Sequence, residues 1–521
     1  MLASILLRLV LVPSGIGLLG LLGFVVYRLF FHPYAKYPGP FLAKLTNLYS
    51  AYHAWRGDLH LDMWRCHEKY GNYVRYGPNE LLVNTESGLK DIYSHGKKFK
   101  KSVKYSAMVH RATNTLTETD RKKHGKKRRL ISQAFSDSTL KSYEDAVLTH
   151  VQQLCDELVS NEGKPVPKDE WAPAKNISRW CDYFTFDVMT SVIFGVEWSA
   201  LREEKYRYVP DSIEQSNVRI GTLLEAPGMK GWKILDKYLF GAAIIARNQF
   251  IKFINEILRE AMRVTGKTKK GAFALLISAK DPETGEPLNI KELGGETATL
   301  VVAGTDTTST ALAAALFYLA HYPEAYKKLS AEVRTAFLSS DEIHLGSQLS
   351  QCAYLRACID EAMRMSPSAP GCLWREAEAE GVKVDDKYIP KSMDVGTCIY
   401  SIHHNPEYYP DPFGYHPERW LVNDPLSTPY RGSVVPSAPF TPFSLGSRSC
   451  IGKGLAYVEL TLTLAHLFWK YDFQLVEDNR RHVGEGKPHA EFGRHRVDEF
   501  QMHDHVTATK DGPWLRFKSR F

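Results

Sequence analysis

One stretch restricts the possible folds more than any other: Phe443-Ser-Leu-Gly446-Ser-Arg448-Ser-Cys450-Ile-Gly452. From Ala438 to Ser449 the sequence is turn-rich and punctuated by proline, and helical periodicity sets in from about Gly452 to Tyr471. A cysteine is thereby held at the mouth of a helix by an irregular loop, which implies a loop shaped around something. The helix N-terminus and the adjacent Arg448 both favour the Cys450 thiolate, and a thiolate can bind ferric iron. Gly446 and Gly452 let backbone approach a flat cofactor where a Cβ would obstruct it. Amides around the cysteine can bond the sulfur and tune its electron donation, and Phe443 offers an aromatic wall. A lone Cys-x-Gly would read as a buried structural cysteine; this full spacing does not.

The other cysteines (Cys66, Cys155, Cys181, Cys352, Cys358, Cys372 and Cys398) have neither paired metal spacing nor the density of a secreted disulfide framework. They read as small buried hydrophobes in a reducing compartment. The 521 residues, 44% apolar and 24% charged, show no repeat and no interior linker, so one large domain behind a short N-terminal segment is expected. Helical periodicity covers His60–Tyr70, Arg121–Phe135, Ser138–Val159, Asp182–Phe194, Ala242–Val264, Lys291–His321, Pro323–Phe337 and Leu355–Met365. Strand-like pieces occur at Tyr73–Tyr76, Glu80–Val83, Gly381–Val384, Tyr388–Ile389, Asp394–Tyr400 and Trp514–Phe517. The fold class is mainly α with minor β.

No charge interrupts Leu9 to Tyr27, a run about long enough to cross a bilayer. Pro13 and four glycines weaken it less in lipid than in water. The run ends in Tyr27-Arg28-Leu29-Phe30-Phe31, which does not resemble a cleavage site, so an uncleaved anchor is expected. Arg28, Lys36 and Lys44 follow it, and the positive-inside rule puts the bulk of the chain in the cytosol. There the Asn176-Ile177-Ser178 sequon would be idle. The net charge of +7 is concentrated at Lys97, Lys98, Lys100, Lys101 and Lys104 and along Arg121–Arg129. Such runs are usually solvated faces, and no finger, helix-turn-helix or stacking motif accompanies this one to suggest nucleic acid.

Two further motifs stand on helices. The long one opens at Asn289 and Glu292, placed like a capping box, and stops at Pro323. Its middle reads Ala303-Gly304-Thr305-Asp306-Thr307-Thr308, poor helix interior whose hydroxyls can bond back and bend the helix. Either a local opening for water or dioxygen or a Thr-rich packing face fits those residues alone. Glu361 and Arg364 are one turn apart and can pair.

In combination these segments resemble the cytochrome P-450 family. The resemblance runs from Pro38-Gly39-Pro40 to Lys510-Asp511-Gly512-Pro513, with Ile402-His403-His404-Asn405-Pro406 similar to the microsomal fungal branch. It implies a P-450 fold: a membrane anchor over residues 1–31 and a single haem domain over 32–521. The implied cofactor is haem b (heme b, iron-protoporphyrin IX), with Cys450 as iron ligand, electron-donating and favouring O–O cleavage. Thr307 would act on bound dioxygen, Asp306 would relay protons, and Ala303 and Gly304 would leave room for substrate. His124 (where the family often has tryptophan), Arg128, Arg375 and Arg448 would hold the propionates. Glu361 and Arg364 would form a structural lock with Arg419 of Pro417-Glu418-Arg419-Trp420, downstream of Tyr409-Pro410-Asp411-Pro412-Phe413.

The implied activity is monooxygenation of a lipophilic small molecule with O2, in fungal secondary metabolism. Electrons would come from NADPH through a separate cytochrome reductase docking on the basic helix that carries His124, since the chain has no flavin or nicotinamide motif. The resemblance places the enzyme in the endoplasmic reticulum membrane, single-pass, facing the cytosol. The pocket would draw on residues 102–117, 220–229, 298–306 and 369–373. An isomerase or dehydratase of the same fold, and a non-catalytic membrane haem protein, remain the alternatives.

Overall fold

The apolar N-terminus, charged only at Arg8, forms the helix Leu2–Val26, which runs into a π-helical turn at Tyr27–Phe31. A computed structural model describes residues 2–110, 112–268, 272–278, 280, 285, 287–421 and 439–521; Ala438, the expected start of the turn-rich stretch, lies outside them. None of Leu11–Phe31 is buried against the rest of the chain. The helix exit is nevertheless fastened. The buried Arg75 guanidinium donates to the Arg28 carbonyl at 2.7 Å, and Arg28 donates to Asn79 at 3.0 Å. Behind it, the Arg75 amide donates to Pro38 at 2.7 Å, and a Cβ on Gly39 would collide with the Arg75 carbonyl. The Pro38-Gly39-Pro40 hinge therefore needs its glycine.

The long helix Ile290–His321 crosses the centre of the molecule. It too is apolar enough to span a bilayer, but 78% of it is buried in the protein, so it is a core helix. Around it pack Ile177–Phe194, Ala353–Met365 and Lys453–Lys470, all contributing to one apolar cluster. Its start is the expected box: Asn289 Oδ1 accepts from the amides of Lys291 and Glu292, each at 3.0 Å. At one side lies a five-stranded sheet in the order Tyr73–Gly77, Glu80–Val83, Asp394–Gly396, Arg375–Ala377, Phe99–Lys101. Its last pair sets Lys101 directly opposite Arg375. A C-terminal hairpin, Met502–His505 with Thr507–Lys510, packs against the long helix.

Several expected elements change. Ser138–Val159 splits at Tyr143 into Asp137–Ser142 and Glu144–Leu158. Asp394–Tyr400 is strand only to Gly396, because the Tyr93 hydroxyl caps the Thr397 amide at 3.0 Å and helix Ile399–His403 follows. Strand Phe99–Lys101 lies inside a lysine-rich run that reads as solvated surface, and helix Tyr208–Glu225 was not marked by periodicity at all.

Candidate functional site

The cysteine loop closes on itself. The Cys450 amide donates to Phe443 at 2.8 Å, Ser449 to Gly446 at 3.1 Å, and Ser444 to Thr441 at 3.0 Å. The Phe443 ring leans on Tyr457, 5.3 Å between centroids. Gly446 has φ +69°, and a Cβ there would strike the carbonyl of Tyr93. Its glycine serves the seating of the loop on Tyr93–Ser94, not the expected approach to a flat ligand. A Cβ on Gly452 would meet only the Cys450 sulfur, at 3.9 Å, so space beside the thiol is open.

Seven of the eight cysteines are buried and Cys450 alone is exposed. Its surroundings still exclude enough water to push the thiol up, opposed by the amide of Gly452, the Arg128 guanidinium and the amide of Lys453. The cation beside the sulfur is thus Arg128, not Arg448 as the sequence suggests. Arg128 donates to the Ser449 carbonyl at 2.7 Å, whereas Arg448 turns away and donates to the backbone carbonyl of Glu118 at 2.6 Å.

That turn places Arg448 in a cluster with Lys101 and Arg375, all lining one cavity. Lys101, buried, donates to the Leu116 carbonyl and lies over the Tyr105 ring; Arg375 donates to the carbonyls of Leu373 and Trp374. Among the described residues neither they nor Arg448 and Arg128 form an ion pair with a carboxylate. The crowding of charge shifts their proton affinities. Lys101 is pushed well down by burial and by Arg375, Arg448 and Arg128. Arg448 is brought to about 10 by burial and Arg375. His124, buried on the helix Arg121–Ser132, is lowered to about 3 by burial and the same cations, so its ring is neutral and keeps one N–H to donate. Buried cations without counter-charge are costly. A bound dianion would relieve them, and the two carboxylates of a haem fit this donor set. Lys101 is the member that sequence reading missed.

On the long helix, Ala303 and Thr307 line the cavity. Gly304 does not: a Cβ there would collide with the end of Met189, so this glycine admits the helix Ile177–Phe194, not substrate. Thr307 Oγ1 donates to the Ala303 carbonyl at 2.6 Å, the expected back-bond, yet the helix runs on without a break. Asp306 points away from the cavity. Its Oδ2 accepts from Thr507 at 2.7 Å and Asn217 at 3.3 Å, both cavity residues, and its Oδ1 has no partner. Burial raises its carboxyl to about 7 against the pull of Lys510.

Behind the cysteine loop the expected lock is present and fully buried. Arg364 grips Glu361 at 2.8 and 2.9 Å and the carbonyls of Pro412 and His403 at 2.8 and 2.9 Å. Arg419 and the Trp420 indole donate to Glu361 at 3.1 and 3.0 Å. His403 was not anticipated as part of it. Its Nδ1 meets the Arg364 carbonyl at 3.2 Å and its Nε2 accepts from the Thr441 amide at 2.9 Å, which ties the lock to the loop.

The cavity measures about 670 Å³. As expected, residues 105–117, 220–225, 298–303 and 369–373 contribute to it. Helix Lys233–Thr268, through Phe250, Ile254 and Leu258, and the hairpin residues Asp504, Val506 and Thr507 also line it; no motif announces either.

Comparison with known proteins agrees along the chain. The family described as Cytochrome P450 matches residues 34–496. The cytochrome P450 monooxygenase atnE of Emericella nidulans is 57% identical over 97% of this chain and 96% of its own length. Two others, AKT7 of Alternaria alternata and poxM of Penicillium oxalicum, are 45% and 46% identical, over 95% and 96% of this chain and 94% and 92% of theirs. The crystal structure of the cytochrome P450DA heme domain superposes with a TM-score of 0.69 at 18% identity, covering 89% of this chain and 93% of that one.

Proposed function

Because the chain belongs to the cytochrome P450 family, we propose that it is a membrane-tethered monooxygenase oxidising a lipophilic small molecule in fungal secondary metabolism, with electrons passed from NADPH by a separate reductase. The observation that carries this reading is the one exposed cysteine, Cys450, with Arg128 at its sulfur, in a chain whose cavity is lined by Lys101, Arg375 and Arg448, none of them ion-paired to a carboxylate among the described residues. Cys450 would hold the iron of haem b and Lys101, His124, Arg375 and Arg448 its carboxylates; the group would supply the redox chemistry of a monooxygenase.

The chain's own groups do the rest. Arg128 and the amides of Gly452 and Lys453 oppose the burial that pushes the Cys450 thiol up, and would stabilise its sulfur as a thiolate toward iron. Asp306 can hold a proton near neutral pH and exchange it with the Thr507 hydroxyl on the cavity wall. Thr307, its own proton engaged by Ala303, offers lone pairs to the cavity, and the small Ala303 leaves space beside it. Apolar walls exclude water and favour an apolar substrate. Arg121, Lys122, Lys123 and Arg129 are exposed on the helix whose inner face carries His124, which suits docking of an acidic electron donor. The unburied helix ahead of the hinge supports an anchor over residues 1–31 and a haem domain over 32–521, and Arg28, Lys36 and Lys44 support a cytosol-facing enzyme of the endoplasmic reticulum.

The test is the reduced, carbon-monoxide-bound absorption spectrum of the wild type and Cys450→Ser. The wild type should show the red-shifted Soret band of thiolate-ligated haem, and the variant should lose it. A wild type without haem, or with the band of a histidine-ligated one, would overturn the reading.

A further inference from the structure

The cavity wall holds a carboxyl with no counter-ion. Asp504, on the C-terminal hairpin, is 3% exposed, and its Oδ2, resting against Gly371, receives no hydrogen bond. No lysine or arginine among the described residues pairs with it. The largest charge effect on it comes from another carboxylate, Glu225, which also lines the cavity. Glu225 accepts from Lys104 at 2.9 Å and from the Trp374 indole at 3.2 Å, but the same Lys104 serves Glu80 at 2.8 Å. One ammonium thus serves both Glu225 and Glu80, whose own carboxyl is pushed up by burial. Burial and Glu225 together bring the Asp504 carboxyl up to about 7 against the backbone amides of Val506 and His60, while Oδ2 stays without a donor.

We propose that Asp504 is a substrate anchor, binding a protonated amine carried by an otherwise apolar substrate through a charge-assisted hydrogen bond to Oδ2. The inference rests on the function proposed above and narrows its substrate class. A buried carboxylate needs both a donor and a positive charge, and an ammonium supplies the two at once. A hydroxyl supplies only the donor and leaves the negative end uncompensated. Val506 and the walls beyond it take the apolar remainder. The same hairpin carries Thr507 to Asp306, so an amine at Asp504 holds its molecule against the proton-holding side of the cavity.

The experiment is calorimetric titration of the haem-loaded full chain with N,N-dimethyl-4-phenylbutylamine and with its uncharged carbon isostere. The wild type should prefer the amine, and Asp504→Asn, which keeps shape and loses charge, should reduce that preference by about tenfold or more with the isostere's affinity unchanged. Gly371→Ala is a second variant. Its Cβ would stand 2.7 Å from Oδ2, so the carboxyl must shift while its charge stays, and the preference should again fall. No preference in the wild type, or a preference retained in haem-loaded variants, overturns the anchor. Absence of haem in the wild type would instead strike the proposed function itself.

Discussion

At the scale of single residues, charge without an ion-pair partner marks the side proposed for the haem carboxylates, and charge fully compensated marks the frame. Lys101 sits among three arginines, so Lys101→Met should stabilise the chain before haem is loaded, by on the order of 1 kcal/mol, while weakening haem retention. Thermal unfolding of apo and loaded protein reads the two opposite signs. Glu361 is the reverse case: two guanidiniums, an indole and an amide satisfy it with no solvent contact. Arg364→Ala should cost roughly 3–5 kcal/mol by stranding that carboxylate, measured by denaturant unfolding. Asp306 binds its proton more tightly in the fold, at about 7, than its ordinary value of 3.8 allows in the unfolded chain. The folded state therefore carries the extra proton between those values, so its stability falls as pH rises from about 3.8 to about 7 and levels off above that. Asp306→Asn should flatten that decline in melting temperature between acid and neutral pH; an unchanged slope would contradict the assignment.

At the scale of elements, glycines report which neighbour each segment must admit. Gly304 lets the long helix lie against Met189, so Gly304→Ala should cost about 1–3 kcal/mol. Met189→Ala in the same chain should restore most of the loss, because the obstruction is the end of a flexible side chain. Gly446 faces backbone at Tyr93 and has a left-handed φ, so no neighbouring truncation should rescue Gly446→Ala. Haem content of the two pairs distinguishes these cases.

At the scale of the whole molecule, the N-terminal helix meets the body at the clamp of Arg28 on Arg75 and Asn79, beside which His32 also bonds Asn79. Deleting residues before Tyr27 keeps that clamp and removes a helix that is not buried from Leu11 on. The truncated chain should leave the membrane fraction with its melting temperature unchanged; a lower one would mean that the anchor supports the body.

The sequence by itself determined the class, the cysteine loop, the capping box, the Glu361–Arg364–Arg419 lock and the apolar N-terminal helix, because each is written in short segments with fixed spacing. Tertiary structure alone decided which way charges and glycines face. Lys101 reads as surface lysine until strand pairing sets it opposite Arg375. Arg128 takes the place beside the sulfur that sequence adjacency gives to Arg448, Gly304 and Gly446 serve protein packing, and Asp306 turns to Thr507 from a strand some 200 residues away in sequence. Those outcomes depend on contacts between segments remote along the chain, and local periodicity and spacing carry no information about them.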